Sequence, residues 1–196
     1  LLALNETAQA EDKIKLIQSL PELSSGHWLQ LGKIQQRLGH TQLAQQNLAT
    51  AIQLSPDQPV YQYEYIAILI ANNKLTLAKE QLAALKGESG QSADAYLLRA
   101  EYANKTGNSA DAFAAFQTSI SKDPFFNRAW AGLYELARQE KYNQPFVTLA
   151  EQYLSANPDN VWLRRLLAEH HINHQSYAAA KEQYQQLLNA GAFTDD

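Results

Sequence analysis

Residues 26–56 read GHWLQLGKIQQRLGHTQLAQQNLATAIQLSP, and this stretch decides the fold. Its punctuation predicts two helices. The first runs from Gly26 to Leu38 and stops at Gly39-His40; the second runs from Thr41 to Leu54 and stops at Ser55-Pro56. Leu43, Ala44, Leu48, Ala51 and Ile52 keep helical spacing, so the second helix carries one apolar stripe. Pro56 cannot continue that helix but suits the approach to another. The small side chain at Ala44 has a packing reason, because two helices cross closely only where a side chain is small.

Working outward, the same features return every 34 residues. Ala44 is matched by Ala78, Ala112 and Ala180 ahead and by Ala10 behind, with Phe146 the one break. Pro56, Pro124 and Pro158 share the period, with Gly90 in the missing place. Gly39 and Gly107 are two periods apart, and Asn73, which tolerates left-handed backbone, lies between them. Trp28, Tyr96 and Trp130 also fall in register. Several residue types sharing one period mark an array of helical hairpins.

The pattern resembles the tetratricopeptide repeat family, whose signature places Trp, Leu, Gly and Tyr in a first helix and Ala, a large apolar residue, Ala and Pro in a second. Residues 25–58 carry it in Trp28, Leu31, Gly32, Ala44, Leu48, Ala51 and Pro56, departing at Gln35. Residues 59–92 are weaker, with Gln62 and Ile66 in place of Trp and Gly, but keep Ala78 and Leu82. Residues 93–126 keep Tyr96, Ala100, Gly107, Ala112, Phe116 and Pro124. Residues 127–160 keep Trp130, Leu133 and Pro158 around the bulky Phe146, and 161–194 keep Leu167, Ala168, Ala180, Tyr184 and Leu187. Residues 1–24 match a lone second helix of a preceding repeat. The resemblance implies an all-α fold, a right-handed superhelical solenoid of antiparallel hairpins with about eleven helices.

Composition narrows the function classes. A net charge of -4, from 16 basic and 20 acidic residues, provides no basic footprint for nucleic acid. The longest apolar stretch, Tyr65 to Ala71, is too short for membrane insertion. Absence of Cys removes disulfides, thiolate metal sites and Cys nucleophiles. Met is absent even at position 1, the first helix lacks most of its partner, and Gly191 to Asp196 stops without the polar capping helix such arrays use, so the chain reads as a piece of a longer array, open to self-association through its ends.

Chemical constellations are sparse. His170, His171 and His174 form the one metal-like cluster, but zinc would want a further ligand and supporting hydrogen bonds that the sequence does not name. Lys86-Gly87-Glu88-Ser89-Gly90 is a linker without the strand that a phosphate loop follows. No catalytic residue, metal or cofactor is expected, and the chain is read as a binding module rather than an enzyme.

The resemblance implies that the first helix of each hairpin lines a concave face that holds a protein or peptide. That face would include Lys33, Arg37, Tyr63, Glu64, Glu101, Asn104, Arg128, Arg138, Trp162 and Arg165. Tyr63, Arg128 and Trp162 stand out, because aromatic and Arg side chains dominate interface energetics. Some family members clamp a C-terminal carboxylate with Lys, Asn and Arg, but those places hold Leu29 and Lys33, then Glu64, then Asp94 and Leu98, which disfavours acidic tails. The fifth repeat, Asn157 to Glu169 and Ser176 to Tyr184, is similar to repeat lipoproteins of bacterial envelopes tied to exopolysaccharide and protein sorting. That likeness favours periplasm or cell envelope over cytoplasm. The other expectation to weigh is a substrate-presenting arm of a larger sulfotransferase, glycosyltransferase or oxygenase.

Overall fold

The computed structural model describes residues 2–190, and the described residues form helices, turns and loops without a strand. They divide into two compact units, one ending at Gln91 and the other beginning at Ser92. The expectation about Gly191 to Asp196 falls outside the described residues.

The first unit contains α1 (Leu2–Gln18), α2 (Ser25–Arg37), α3 (Thr41–Leu54), α4 (Pro59–Ala71), α5 (Leu75–Ala84) and α6 (Gly87–Gly90). Ser24 starts α2 through a reciprocal cap, in which its side chain accepts from the His27 amide and its own amide donates to His27 Nδ1. Pro59 opens α4, where the fixed φ costs nothing and the missing N–H had no helical partner. The α2–α3 crossing shows why Gly32 is glycine. A Cβ there would lie 2.8 Å from Leu48 Cγ and 3.3 Å from the Ala44 carbonyl oxygen. Twelve helices appear among the described residues where about eleven were expected, because the 86–90 linker winds into the single turn α6.

The second unit contains α7 (Ala93–Lys105), α8 (Ser109–Lys122), α9 (Asn127–Ala137), α10 (Glu140–Ala156), α11 (Val161–Asn173) and α12 (Tyr177–Asn189). Ser92, Asn108 and Asn160 cap α7, α8 and α11 by accepting from Ala95, Asp111 and Leu163 amides. One continuous core runs through α7 to α11 and includes the fully buried Phe116, Trp130, Leu133 and Phe146. Ala112 is buried at the α7–α8 crossing. Ala112→Leu is therefore expected to destabilise this unit by about 1–3 kcal/mol through overpacking, read as a lower midpoint in urea unfolding; an unchanged midpoint would show that the crossing has room.

Turns between paired helices explain the glycine spacing. Positive φ occurs at Gly39 (78°), Asn73 (58°), Gly107 (81°) and Gln175 (58°), all in one register. Gln175 is the costly member, since a side chain disfavours left-handed backbone. The fourth hairpin departs. Lys141, in that register, lies inside α10, which begins at Glu140 immediately after an extended Gln139.

That hairpin is also packed differently. In the first, third and fifth hairpins the register pairs a small residue with alanine, as in Gly32 with Ala44 and Ala100 with Ala112, and in the second Ile66 stands opposite Ala78; here Tyr134 meets Phe146 with ring centroids 5.9 Å apart. Phe146 is fully buried all the same, and Trp130 packs edge-on against it at 6.4 Å. Space comes from Ala150, which stands where Leu48 and Phe116 stand in other repeats. Bulk has moved by one helical turn, and α9 and α10 run less close together than α7 and α8.

Candidate functional site

The first helices of neighbouring hairpins within each unit are stitched side by side by polar contacts. In the first unit Lys33 of α2 pairs with Glu64 of α4 at 2.5 Å, and Asn72 donates to Gln36 at 3.0 Å. In the second, Arg128 of α9 pairs with Glu101 of α7 at 3.6 Å, and Asn173 of α11 donates to the Tyr134 hydroxyl at 2.8 Å. The mixed charge along this row is thus partly satisfied internally. Such half-exposed pairs contribute little to stability, but they fix which side chains a ligand would displace.

Ten residues were expected on this face, and they separate into two sets. Lys33, Glu64, Glu101 and Arg128 make the ion pairs just described, and Arg138 is held by Glu135 one turn earlier at 3.2 Å. Tyr63 is half-buried and donates its hydroxyl to the Ser89 carbonyl at 2.6 Å, pinning α6. That anchoring gives Tyr63 a structural task that sequence spacing did not reveal. Arg37, Asn104 and Arg165 are exposed, and Trp162 keeps 36% of its surface in water. Between α9 and α11 lies an open cavity of about 470 Å³ lined by Tyr134, Glu135, Arg138, Glu169, Asn173 and His174. Burial, with Glu169 second, pushes the Tyr134 hydroxyl above its ordinary pKa, so it stays a protonated donor.

A second cavity of about 360 Å³ opens at the α10–α11 junction, with Glu140, Asn143, His170, His171 and His174 in its wall. His170 is fully buried, its ring 4.8 Å from Phe146, 5.8 Å from Tyr134 and 4.2 Å from His174. Its Nε2 pairs with Asn143 Oδ1 at 2.9 Å, while His174 Nδ1 donates to the His170 carbonyl at 2.9 Å. Nδ1 of His170 and Nε2 of His171 are buried without a hydrogen-bond partner. Burial first, then His174 and His171, pushes the His170 pKa down to about 4. Burial also lowers that of His171, with Glu151 acting the other way. Among the described residues no three His, Asp or Glu side chains are placed to hold a metal ion.

Arg164 carries a function that spacing could have revealed. It lies 34 residues after Trp130, at the signature Trp position, and both reach back to a proline carbonyl. Trp130 Nε1 donates to the Pro124 oxygen at 2.9 Å, and Arg164 donates to the Pro158 oxygen at 3.0 Å. The buried guanidinium also donates to Gln183 at 3.1 Å and to Gln186, amides rather than carboxylates.

No helix among the described residues is long and apolar enough to cross a membrane. No family model matches the sequence, and no curated protein matches it. Solved structures do. PilW, described as a widely conserved type IV pilus biogenesis factor, is 20% identical over 99% of this chain and 96% of its own, with a TM-score of 0.59. Pseudomonas aeruginosa PilF is 17% identical over 88% and 78%, at 0.60. A thermophilic tetratricopeptide protein of Thermus thermophilus is 15% identical over 87% and 93%, at 0.58. With the 34-residue register, the left-handed turns and the small-residue crossings, these likenesses show that the chain has the tetratricopeptide-repeat fold.

Proposed function

We propose that this chain is a protein-interaction scaffold whose first helices receive a peptide or protein segment, within a bacterial multiprotein assembly of the cell envelope. One observation carries the reading. The first helices lie side by side and present exposed side chains suited to interfaces, with Trp162, Arg165 and Arg128 foremost in the second unit. Likeness to PilW, a pilus biogenesis factor, supports the envelope setting. We further read the chain as one array of five repeats, 25–58, 59–92, 93–126, 127–160 and 161–194, preceded by α1 as a lone second helix. Lys33, Arg37, Glu64, Glu101, Asn104, Arg138 and Tyr63 complete the proposed face, Tyr63 mainly by holding α6 in place.

Affinity capture from an extract of the source cells, with mass spectrometry of the bound proteins, tests this. Trp162→Ala combined with Arg128→Glu should lower capture of specific partners by roughly tenfold or more, because each removes an anchor of the kind that dominates interface energies. Thermal melting should move little, since both side chains are exposed. Equal capture by the double variant would sink the assignment of this face.

A further inference from the structure

We propose that the α10–α11 junction is an acid-sensitive latch, in which protonation of the His170–His171–His174 cluster unseats α11 from α10 and loosens the last hairpin. The geometry explains why the neutral form is required. His170 has no exposed surface, and Phe146, Tyr134 and His174 rings surround it. Its Nε2–H donates to the Asn143 oxygen, so a second proton would go onto Nδ1, which is buried without an acceptor. A charged donor left unpaired in such a place is among the most unfavourable arrangements a fold can hold. His171, 7% exposed, also has a buried nitrogen with no partner. Charging one ring disfavours the next, since the three imidazoles lie within one turn of helix.

Surrounding charges do not rescue the cation. From α9 come Tyr134, Glu135 and Arg138, the last two paired with each other. From α10 come Glu140 and Glu151, while Lys141 lies over the Tyr142 ring; only Glu151 favours a charged His171, and burial outweighs it. From α11 itself Glu169 bears on Tyr134, and on α12 Lys181 and Glu182 are exposed. No ion pair joins any of these carboxylates to a histidine among the described residues.

The direction follows from proton linkage. In the unfolded or detached segment the His170 ring has the ordinary histidine value of 6.5, whereas folding pushes it down to about 4. The stability conferred by the neutral cluster is therefore complete above pH 6.5 and is lost as pH falls from there toward about 4. That interval corresponds to about a 300-fold shift of the local opening equilibrium toward the detached state. Trp162 and Arg165 lie on α11, so acid would also weaken partner capture; this consequence alone rests on the function proposed above.

Hydrogen exchange by mass spectrometry on the full chain at pH 7.5 and pH 5, corrected for intrinsic exchange rates, tests the latch without any partner. Amides of α11 and α12 should lose about 30-fold protection at pH 5 relative to those of α7 and α8. His170→Phe, which keeps a ring in the cage, should remove the acid response. His174→Gln, at an exposed site, should reduce it by relieving one like charge. Parallel ring NMR should show His170 neutral at pH 5. Equal protection changes across the four helices, or the same acid loss in His170→Phe, would overturn the proposal. Should His170→Phe not fold, an undiminished response in His174→Gln with a His170 ring that charges near 6.5 would overturn it equally.

Discussion

Phe146→Ala is expected to lower the stability of the second unit by about 3–5 kcal/mol, although alanine is the residue that Ala44, Ala78, Ala112 and Ala180 place at the matching position. Judged by the repeat pattern alone, the substitution restores the signature and should be neutral or helpful. The packing says otherwise. Phe146 is fully buried and touches the rings of Trp130, Tyr134 and His170, so truncation empties a space with three aromatic walls. Ala150 cannot fill that space, because it is small and lies one turn away on α10. Collapse is also hindered from the other side, where Tyr134 holds the two helices apart. Urea unfolding followed by far-UV circular dichroism measures the effect. In a repeat array the loss should be concentrated in the fourth hairpin and its neighbours rather than spread evenly, so hydrogen exchange gives the sharper readout. A midpoint equal to that of the unmodified chain would mean that the hairpin closes onto alanine as its siblings do.

Trp130→Ala should cost about as much, near the upper end of the roughly 3–5 kcal/mol range for a fully buried large aromatic residue. The indole has no exposed surface and makes edge-to-face contacts with Phe146 and with Tyr153, the latter at 5.3 Å. It also donates to the Pro124 carbonyl, so its removal leaves a loop oxygen at the entrance to α9 without its partner. Trp130→Phe separates the two contributions in part, since phenylalanine keeps the larger share of the buried ring volume and loses the donor. A drop of about 1–2 kcal/mol is expected for that change, measured by the same unfolding experiment. If both variants lose the same amount, the hydrogen bond rather than the burial dominates. Trp130→Ala and Phe146→Ala should not be additive, because the rings touch and the first cavity relieves part of the second.

The fold was legible in the sequence because its determinants are local and periodic. Gly39, Asn73 and Gly107 mark turns by their tolerance of left-handed backbone, Pro56, Pro124 and Pro158 end second helices by lacking an N–H, and Ala44, Ala78 and Ala112 permit close crossings by being small. Each property belongs to one residue type and needs no knowledge of distant neighbours. The Arg164 cap was legible in the same way, by adding one period to Trp130, but it is disguised because arginine does not resemble tryptophan.

What the sequence could not decide is how side chains are used once the hairpins stack. The family resemblance put Tyr63 on the face proposed for binding, but only tertiary structure brings the Ser89 carbonyl within reach of its hydroxyl. Spacing marked Phe146 as a misfit, whereas the three-dimensional core shows Phe146 buried with the small Ala150 one turn away, the reverse of the order at Ala112 and Phe116. The histidines read as an incomplete metal motif, yet their chemistry depends on burial by α9 and α10, since desolvation is set by every element around a group. Thus the sequence alone determined the repeat, its period and its helices, because backbone preferences act at short range. Only the tertiary structure decided which polar side chains are occupied, which are exposed and which are trapped neutral, because burial and partner distance are properties of stacked helices rather than of any one of them.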